Sequence, residues 1–168
     1  MSHSARHGFT LIELLVTVSI MAFLMIYGSI SITSSRKNQS LKKAQQQLKL
    51  GLEKAKNDAF FGKKPAACGA IPLLGMRFVL SPGDPPAVPA SYKITANCVV
   101  SAGDPEPEVV SFEFEKDVHI TPAINMIFNT LNNGTNLSGT QTFNVTVDGL
   151  SAIRSVTVNK SGVINAND

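Results

Sequence analysis

Hydrophobic and polar positions divide the chain into three consecutive parts. A short polar segment, 1–8, precedes an apolar run, 9–32, and no charged residue occurs between Leu14 and Ser35. As a helix, the 24 residues of this run would be about 36 Å long, which is enough to cross a hydrocarbon core of about 30 Å. The small-residue cleavage site of a secretory signal does not follow the run. The pattern therefore predicts a retained transmembrane helix at 9–32.

An amphipathic helical pattern continues the apolar run over 33–61. Its apolar positions recur at steps of three and four residues, which places them on one helix face: Leu41, Ala44, Leu48, Leu52, Ala55 and Ala59. The polar residues, Gln45 and Gln46 among them, are assigned to the other faces. Gly51 should weaken the helix by about 1 kcal/mol relative to alanine. Gly62 is a natural stop, so one helix is predicted from Phe9 to about Phe61.

The remaining part, 62–168, shows the period of β-strands. Candidate strands are Ile71–Leu80, Tyr92–Val100, Val109–Glu115, Ala123–Phe128, Thr142–Val147 and Ser155–Asn159. Stretches rich in Gly, Pro, Asn and Asp separate them. A long helix followed only by strands predicts an α+β fold. The amphipathic half of the helix should pack on a C-terminal antiparallel sheet or small β-sandwich head.

Composition and cysteine content narrow the possible functions. The net charge is +3 and charged residues make up 16% of the chain, without a basic stripe dense enough to indicate nucleic-acid binding. Cys68 and Cys98 have neither a CxxC spacing nor a nearby histidine, so a metal site is not predicted. A disulfide between them is expected if this part is exported, and would contribute about 3–4 kcal/mol. The alternative is two buried thiols.

The sequence also lacks a recognisable catalytic constellation. His119, beside Asp117, is the one histidine after the first eight residues, and we interpret it as a member of a surface pair. We find neither a nucleophile elbow nor a phosphate-binding loop. The chain is therefore predicted to be a non-enzymatic protein without catalytic residues, cofactor or metal.

Glu13, near the start of the apolar run, has three possible explanations. The carboxylate could lie at the helix end, where the cost of burial falls and the helix dipole favours an acid. It could belong to a proton or ion path, which would need partner charges in other spans. It could also serve assembly: if the chain were cut before Phe9, Glu13 of one copy could pair with the new terminal amine of another inside an apolar bundle.

The stretch GFTLIELLV, Gly8–Val16, resembles the signature of type IV prepilins and type II secretion pseudopilins. The resemblance implies that 1–8 is a leader peptide, that a prepilin peptidase and N-methyltransferase cleaves after Gly8 and methylates Phe9, and that the subunit waits in the inner membrane before filament assembly. Phe9 and Glu13 would then set the register between subunits. Arg6 in the leader predicts a cytoplasmic N-terminus, with the head in the periplasm or outside the cell.

Two further stretches resemble the H-type minor pseudopilins of type II secretion and related minor pilins. They are LGLEKAKNDAFFGKKP at 50–65 and SVTVNKSGVIN at 155–165. The expected function is that of a structural subunit, of the minor type, in a type IV pilus-like or type II secretion filament. Its expected partners are other pilin-like subunits, the inner-membrane assembly machinery, and lipid before assembly. The alternative is an adhesive or DNA-binding minor pilin at a pilus tip, although residues 161–168 lack arginine.

Overall fold

The computed structural model of the protein describes residues 10–84, 87–98, 106–132 and 134–167, and within these ranges it leaves out the side chains of 26–32 and 132. The chain divides into two compact units, 1–36 and 37–168.

A single α-helix, α1, runs from Leu11 to Phe60. Gly62 ends it with a φ of 59°. The amide of Gly62 donates to the carbonyl of Ala59 and the amide of Lys63 to that of Asp58, which is the hydrogen-bond pattern of a Schellman cap. The predicted continuous helix and its glycine stop are confirmed at this end, because a left-handed residue satisfies the last carbonyls. The predicted first residue, Phe9, lies outside the described residues.

In the described part of the chain, eight strands follow the helix. Their bounds are β1 Gly75–Ser81, β2 Ser91–Asn97, β3 Glu108–Glu113, β4 Val118–Thr121, β5 Ile124–Asn129, β6 Gln141–Val147, β7 Arg154–Val158 and β8 Ile164–Asn167. They form two antiparallel four-stranded sheets, with the orders β3-β2-β1-β5 and β4-β6-β7-β8. The chain therefore passes from the first sheet to the second through β4 and returns through β5.

The six predicted strands correspond to β1, β2, β3, β5, β6 and β7, and three of them have an end that differs by two residues or more. One of the three is β3, which ends at Glu113 rather than Glu115. The first strand begins at Gly75 rather than Ile71, because Lys64 holds the preceding loop through bonds from Nζ to the carbonyls of Gly69 and Ile71. The second ends at Asn97, and its predicted last residues, Val99 and Val100, lie outside the described residues. The strands β4 and β8 were not predicted; each has four residues.

The helix and both sheets of the unit 37–168 share one hydrophobic core. All six predicted helix positions are buried: Leu41, Ala44, Leu48, Leu52, Ala55 and Ala59. Alternate residues of the strands face the same core, among them Phe78, Ile94, Phe128, Phe143 and Val156. The fold is α+β, as predicted, with a helix packed on antiparallel sheets.

Gln45 is a correction to the predicted helix faces. Its side chain is buried rather than solvated. Nε2 donates to the carbonyls of Ser155 and Asn167 at 3.0 and 2.8 Å, and Oε1 accepts from Arg154 at 3.2 Å. The side-chain amide of Gln45 thereby joins α1 to β7 and β8, and these hydrogen bonds offset the desolvation cost of burying it.

Cys68 and Cys98 form a disulfide, which is the oxidised alternative of the two that the sequence left open. Cys68 lies in a short 3-10 turn after the helix, and Cys98 directly follows β2. Both are buried. The bridge therefore ties the loop between α1 and β1 to the end of a core strand.

Candidate functional site

The candidate site is the start of α1, where Thr10 caps the helix. The amide of Glu13 lies 3.3 Å from Oγ1 of Thr10, and the amides of Glu13 and Leu14 donate to the Thr10 carbonyl at 3.1 and 3.2 Å. The sequence Thr-x-x-Glu is the pattern of a capping box. Thr10 therefore fixes the residue at which the helix begins, and it positions Glu13 in the first turn.

Glu13 lies at the positive end of the helix dipole. It is an exposed residue in the first turn of α1, a place where a carboxylate is stabilised by about 0.3–1 kcal/mol. Of the three explanations for Glu13, the helix-end one agrees with this location. The pairing with a terminal amine of another copy stays a prediction, because Gly8 and Phe9, the other predicted processing and assembly residues, lie outside the described residues.

The segment behind Glu13 presents apolar side chains on every face. Eleven large apolar residues between Leu11 and Met25 are 48% to 82% exposed. Glu13 is the one charged residue among 10–25. A helix that is hydrophobic all round is stable only when something covers it. The segment is therefore an exposed apolar surface that apolar surroundings would stabilise.

Two hydroxyl groups of this segment are satisfied inside the helix. Oγ1 of Thr17 donates to the Leu14 carbonyl at 2.9 Å, and Oγ of Ser19 donates to the Leu15 carbonyl at 2.8 Å. A hydroxyl bonded in this way needs no water. The polar residues of 14–25 are therefore compatible with an apolar environment.

The predicted membrane span, 9–32, includes Phe9 and the side chains of 26–32, which lie outside the described residues. Within the described part of the chain, none of the helices is both long and apolar enough to qualify as a membrane span.

His119 forms a surface pair, but with a different partner than predicted. Its Nε2 lies 2.8 Å from Oδ1 of Asp148, not of Asp117, whose backbone carbonyl accepts from the Asp148 amide. The predicted neighbour was wrong because the antiparallel pairing of β4 with β6 brings the turn after β6 beside His119. The Asp148 side chain is 65% exposed. In the ranges that the structure describes, three or more potential ligands from His, Cys, Asp and Glu do not come together.

Thr10 is the site residue that sequence reasoning missed. The signal was present, because a threonine three residues before a glutamate, at the start of a hydrophobic run, indicates an N-terminus. Glu13 therefore has two features that bear on its role: its negative charge at the positive end of the helix dipole, and its place as the last residue of the capping box.

Residues 3–27 match a family model described as "Prokaryotic N-terminal methylation motif". Comparisons with curated proteins and with solved structures give no significant match. The matched range contains Gly8, Phe9, Thr10 and Glu13, together with the whole exposed apolar segment 11–25. The N-terminal part of this chain thus carries a methylation motif that is typical of type IV pilins and pseudopilins.

Proposed function

We propose that the protein is a structural, pilin-like subunit of a type IV pilus-like or type II secretion filament. A prepilin peptidase and N-methyltransferase cleaves the leader 1–8 after Gly8 and methylates Phe9. The subunit waits in the inner membrane through 9–32, with its head in the periplasm or outside the cell. The assembly machinery of the inner membrane then adds it to other pilin-like subunits. The observation that carries this proposal is the methylation motif at residues 3–27.

The exposed apolar surface of residues 11–25 supports the same proposal. Exposing eleven large apolar side chains to water is energetically unfavourable. Lipid covers them in the waiting state, and the corresponding helices of neighbouring subunits cover them in the filament. Glu13 needs a counter-charge in that second environment, since an unpaired carboxylate in a dry bundle is costly. The terminal amine created by cleavage before Phe9 supplies it.

Assignment to the minor, H-type class is the finer part of the proposal. It is supported by the sequence resemblance at 50–65 and 155–165. The second stretch also folds as a strand, a turn and a strand: β7 is followed by a turn that contains Gly162 at a φ of 78°, and then by β8. A minor subunit is present at low copy number. Quantitative mass spectrometry of purified filaments tests this, and a copy number equal to that of the main subunit would contradict the minor class.

Processing can be tested directly on the membrane form. Mass spectrometry of the mature chain should find an N-terminal methylated Phe9, and replacing Gly8 should leave the leader attached. A mature chain that still begins at Met1 in cells with an active prepilin peptidase would contradict the proposal.

The role of Glu13 can be tested separately with Glu13→Val. The variant should be inserted and processed normally but should enter filaments slowly or not at all. Ser19→Ala is the matched control, because it changes a polar residue of the same segment and leaves the charge pattern intact. Incorporation of Glu13→Val at the same level as Ser19→Ala would argue against the pairing.

A further inference from the structure

The first charged residues after the apolar run are a group of cations on α1. Over residues 14–52 the sequence contains basic residues and no acid. The basic residues are Arg36, Lys37, Lys42, Lys43 and Lys49. A run of one charge sign is either neutralised by other parts of the fold or attracts a ligand of the opposite charge.

The fold neutralises two of these cations. Lys43 Nζ lies 2.7 Å from a carboxylate oxygen of Glu115, and Lys49 Nζ lies 3.6 Å from one of Glu53. The other three have no ion pair within the part of the chain that the structure describes. We call them the basic collar, which consists of Arg36, Lys37 and Lys42.

The acids near the collar do not cancel its charge. Glu115 is bound to Lys43, and Asp148 bonds to Nε2 of His119 at 2.8 Å. Asp117 lies beside Asp148, whose amide donates to the Asp117 carbonyl. In the described residues, none of these three acids forms an ion pair with a member of the collar. The collar therefore has a positive charge without a direct counter-ion in the fold.

The collar points in several directions around the helix. At 3.6 residues per turn, its three positions are about 100°, 140° and 120° apart around the axis. Arg36 and Lys42 are exposed. Lys37 is half-buried, and its Nζ lies against Gly149 in the turn after β6. A protein partner would cover one face of the helix, whereas the headgroup layer of a membrane surrounds a spanning helix and meets cations in every direction.

Glu13 and Arg36 are separated along α1 by slightly more than the thickness of a hydrocarbon core. Arg36 follows Glu13 by 23 residues, which is about 35 Å at 1.5 Å per residue. With a typical tilt of about 20° the span is still about 32 Å, against a core of about 30 Å. Residues 14–35 between them are uncharged. The two charged residues can therefore lie at opposite boundaries of one bilayer at the same time.

The positive-inside rule does not account for the collar. In the proposed orientation the collar lies on the non-cytoplasmic side of the membrane. Residues 9–35, which precede it in the mature chain of the proposal, contain neither lysine nor arginine. Cations placed in this way oppose the usual insertion preference. Another interaction on the non-cytoplasmic side is needed to favour them there.

We propose that the basic collar binds the phosphate groups of anionic phospholipids in the leaflet next to the head while the subunit waits in the membrane. This inference rests on the proposed function and names the lipid class of its waiting state. Arg36 lies at the headgroup layer, and Lys42, about 9 Å further along α1, reaches back to it with its long side chain. The contacts fix the depth of the helix and thereby keep Glu13 at the opposite boundary, outside the hydrocarbon.

Lipid enrichment around the full chain in vesicles tests the proposal. Both native cysteines are in the disulfide, so Ser35→Cys provides a single site for a fluorophore next to Arg36. Phosphatidylcholine vesicles contain a small fraction of spin-labelled quencher lipid, with either a phosphatidylglycerol or a phosphatidylcholine headgroup. We expect the phosphatidylglycerol quencher to be about threefold more effective at low salt, and less so at about 0.5 M salt because of screening. Equal quenching by the two lipids at low salt would overturn the proposal.

Paired substitutions attribute the enrichment to the collar. Arg36→Gln with Lys42→Gln removes its two exposed charges and should bring the two quenchers to nearly equal effect. Lys56→Gln with Lys160→Gln is the matched control, because it removes the same charge from the head, and Lys56 lies about 30 Å from Arg36 along α1. The control should keep the enrichment. The same loss in both double variants, or in neither, would overturn the proposal.

Flotation of the same vesicles after alkaline washing separates this proposal from the proposed function. A chain that stays with the vesicles but shows no enrichment overturns the role of the collar alone. A chain that is washed off overturns the membrane anchor at 9–32, and the collar with it.

Discussion

Gly51 of α1 lies directly against the ring of Tyr92 from β2. A Cβ atom at position 51 would come within 2.6 Å of Cζ and 2.9 Å of the hydroxyl oxygen of that ring. Gly51 is buried, and Tyr92 stacks on Phe78 at 5.1 Å. The glycine that weakens the isolated helix thus permits the close approach of the helix to the first sheet.

We predict that Gly51→Ala destabilises the protein although alanine is the better helix former. The gain in helix propensity is about 1 kcal/mol, whereas overpacking a buried contact costs about 1–3 kcal/mol. The expected net effect is a loss of up to about 2 kcal/mol in the free energy of unfolding, measured by denaturant unfolding of the full chain in detergent. Gly139→Ala is the control, since a Cβ there meets nothing within 4 Å. Equal stability of the two variants would refute the packing argument.

Gln45 provides a second prediction, on the attachment of the C-terminal strand. Gln45→Ala removes the two bonds from Nε2 to the carbonyls of Ser155, which is half-buried, and Asn167, which is exposed. The expected loss is about 1–3 kcal/mol in the free energy of unfolding, because each of the two lost hydrogen bonds contributes about 0.5–1.5 kcal/mol. Amide hydrogen exchange should show faster exchange in β8.

The neighbouring Gln46 serves as the control for Gln45. It is exposed on the same helix, and Gln46→Ala should change the free energy of unfolding by less than about 0.5 kcal/mol. If both variants behaved alike, the bonds of Gln45 would contribute nothing measurable to the fold.

The sequence could predict those parts of the fold in which hydrophobic residues repeat at the period of a helix or a strand. The buried face of α1, from Leu41 to Ala59, follows from the 3.6-residue repeat because every member of that face meets the same core. By contrast, β8 has the sequence Ile-Asn-Ala-Asn, which carries almost no apolar alternation. Its pairing with β7 and its bonds to Gln45 are made between distant residues, so a local pattern does not report them.

The same distinction holds for the candidate site. The cap residue Thr10 and Glu13 are the first and last of four consecutive residues, and the local chemistry of a capping box relates them. The partner of His119 was not predicted correctly, because it lies far away in the sequence: His119 was assigned to Asp117, and the structure pairs it with Asp148 through strand register. The processing residues Gly8 and Phe9 stay predictions.

The stability of the head should depend on pH through Glu106. Burial alone would raise the pKa of this carboxyl, but hydrogen bonds from Arg77 and Thr95 and the charge of Arg77 together lower it below the ordinary value. Arg77 Nε lies 2.7 Å from the carboxylate. A lowered pKa stabilises the fold at pH values above the unfolded pKa of about 4.3. That contribution is lost as the pH falls through the lower folded pKa.

We therefore expect Glu106→Gln to lower the free energy of unfolding by about 1 kcal/mol at pH 7. The loss is no larger because the Arg77 side chain is 28% exposed and solvent weakens the ion pair. Below about pH 4.3 the loss should become progressively smaller. Denaturant unfolding between pH 3 and 7 gives the comparison. Glu113→Gln, at an exposed position on β3, is the control and should change the free energy of unfolding at pH 7 by less than about 0.5 kcal/mol. If the difference in the free energy of unfolding between the wild type and Glu106→Gln stayed constant over this range, the titration of Glu106 would be excluded as its cause.

The disulfide between Cys68 and Cys98 allows a last prediction, on both stability and location. The two cysteines are 30 residues apart, and in the chain-entropy model the closed loop contributes about 3–4 kcal/mol. Reduction, or the double change Cys68→Ser and Cys98→Ser, should lower the free energy of unfolding by that amount. The double variant should not respond to reductant. Because such bonds persist in oxidising compartments, a head in the periplasm should resist thiol alkylation in intact cells until reductant is added. Rapid alkylation of both cysteines without reductant would argue against that location.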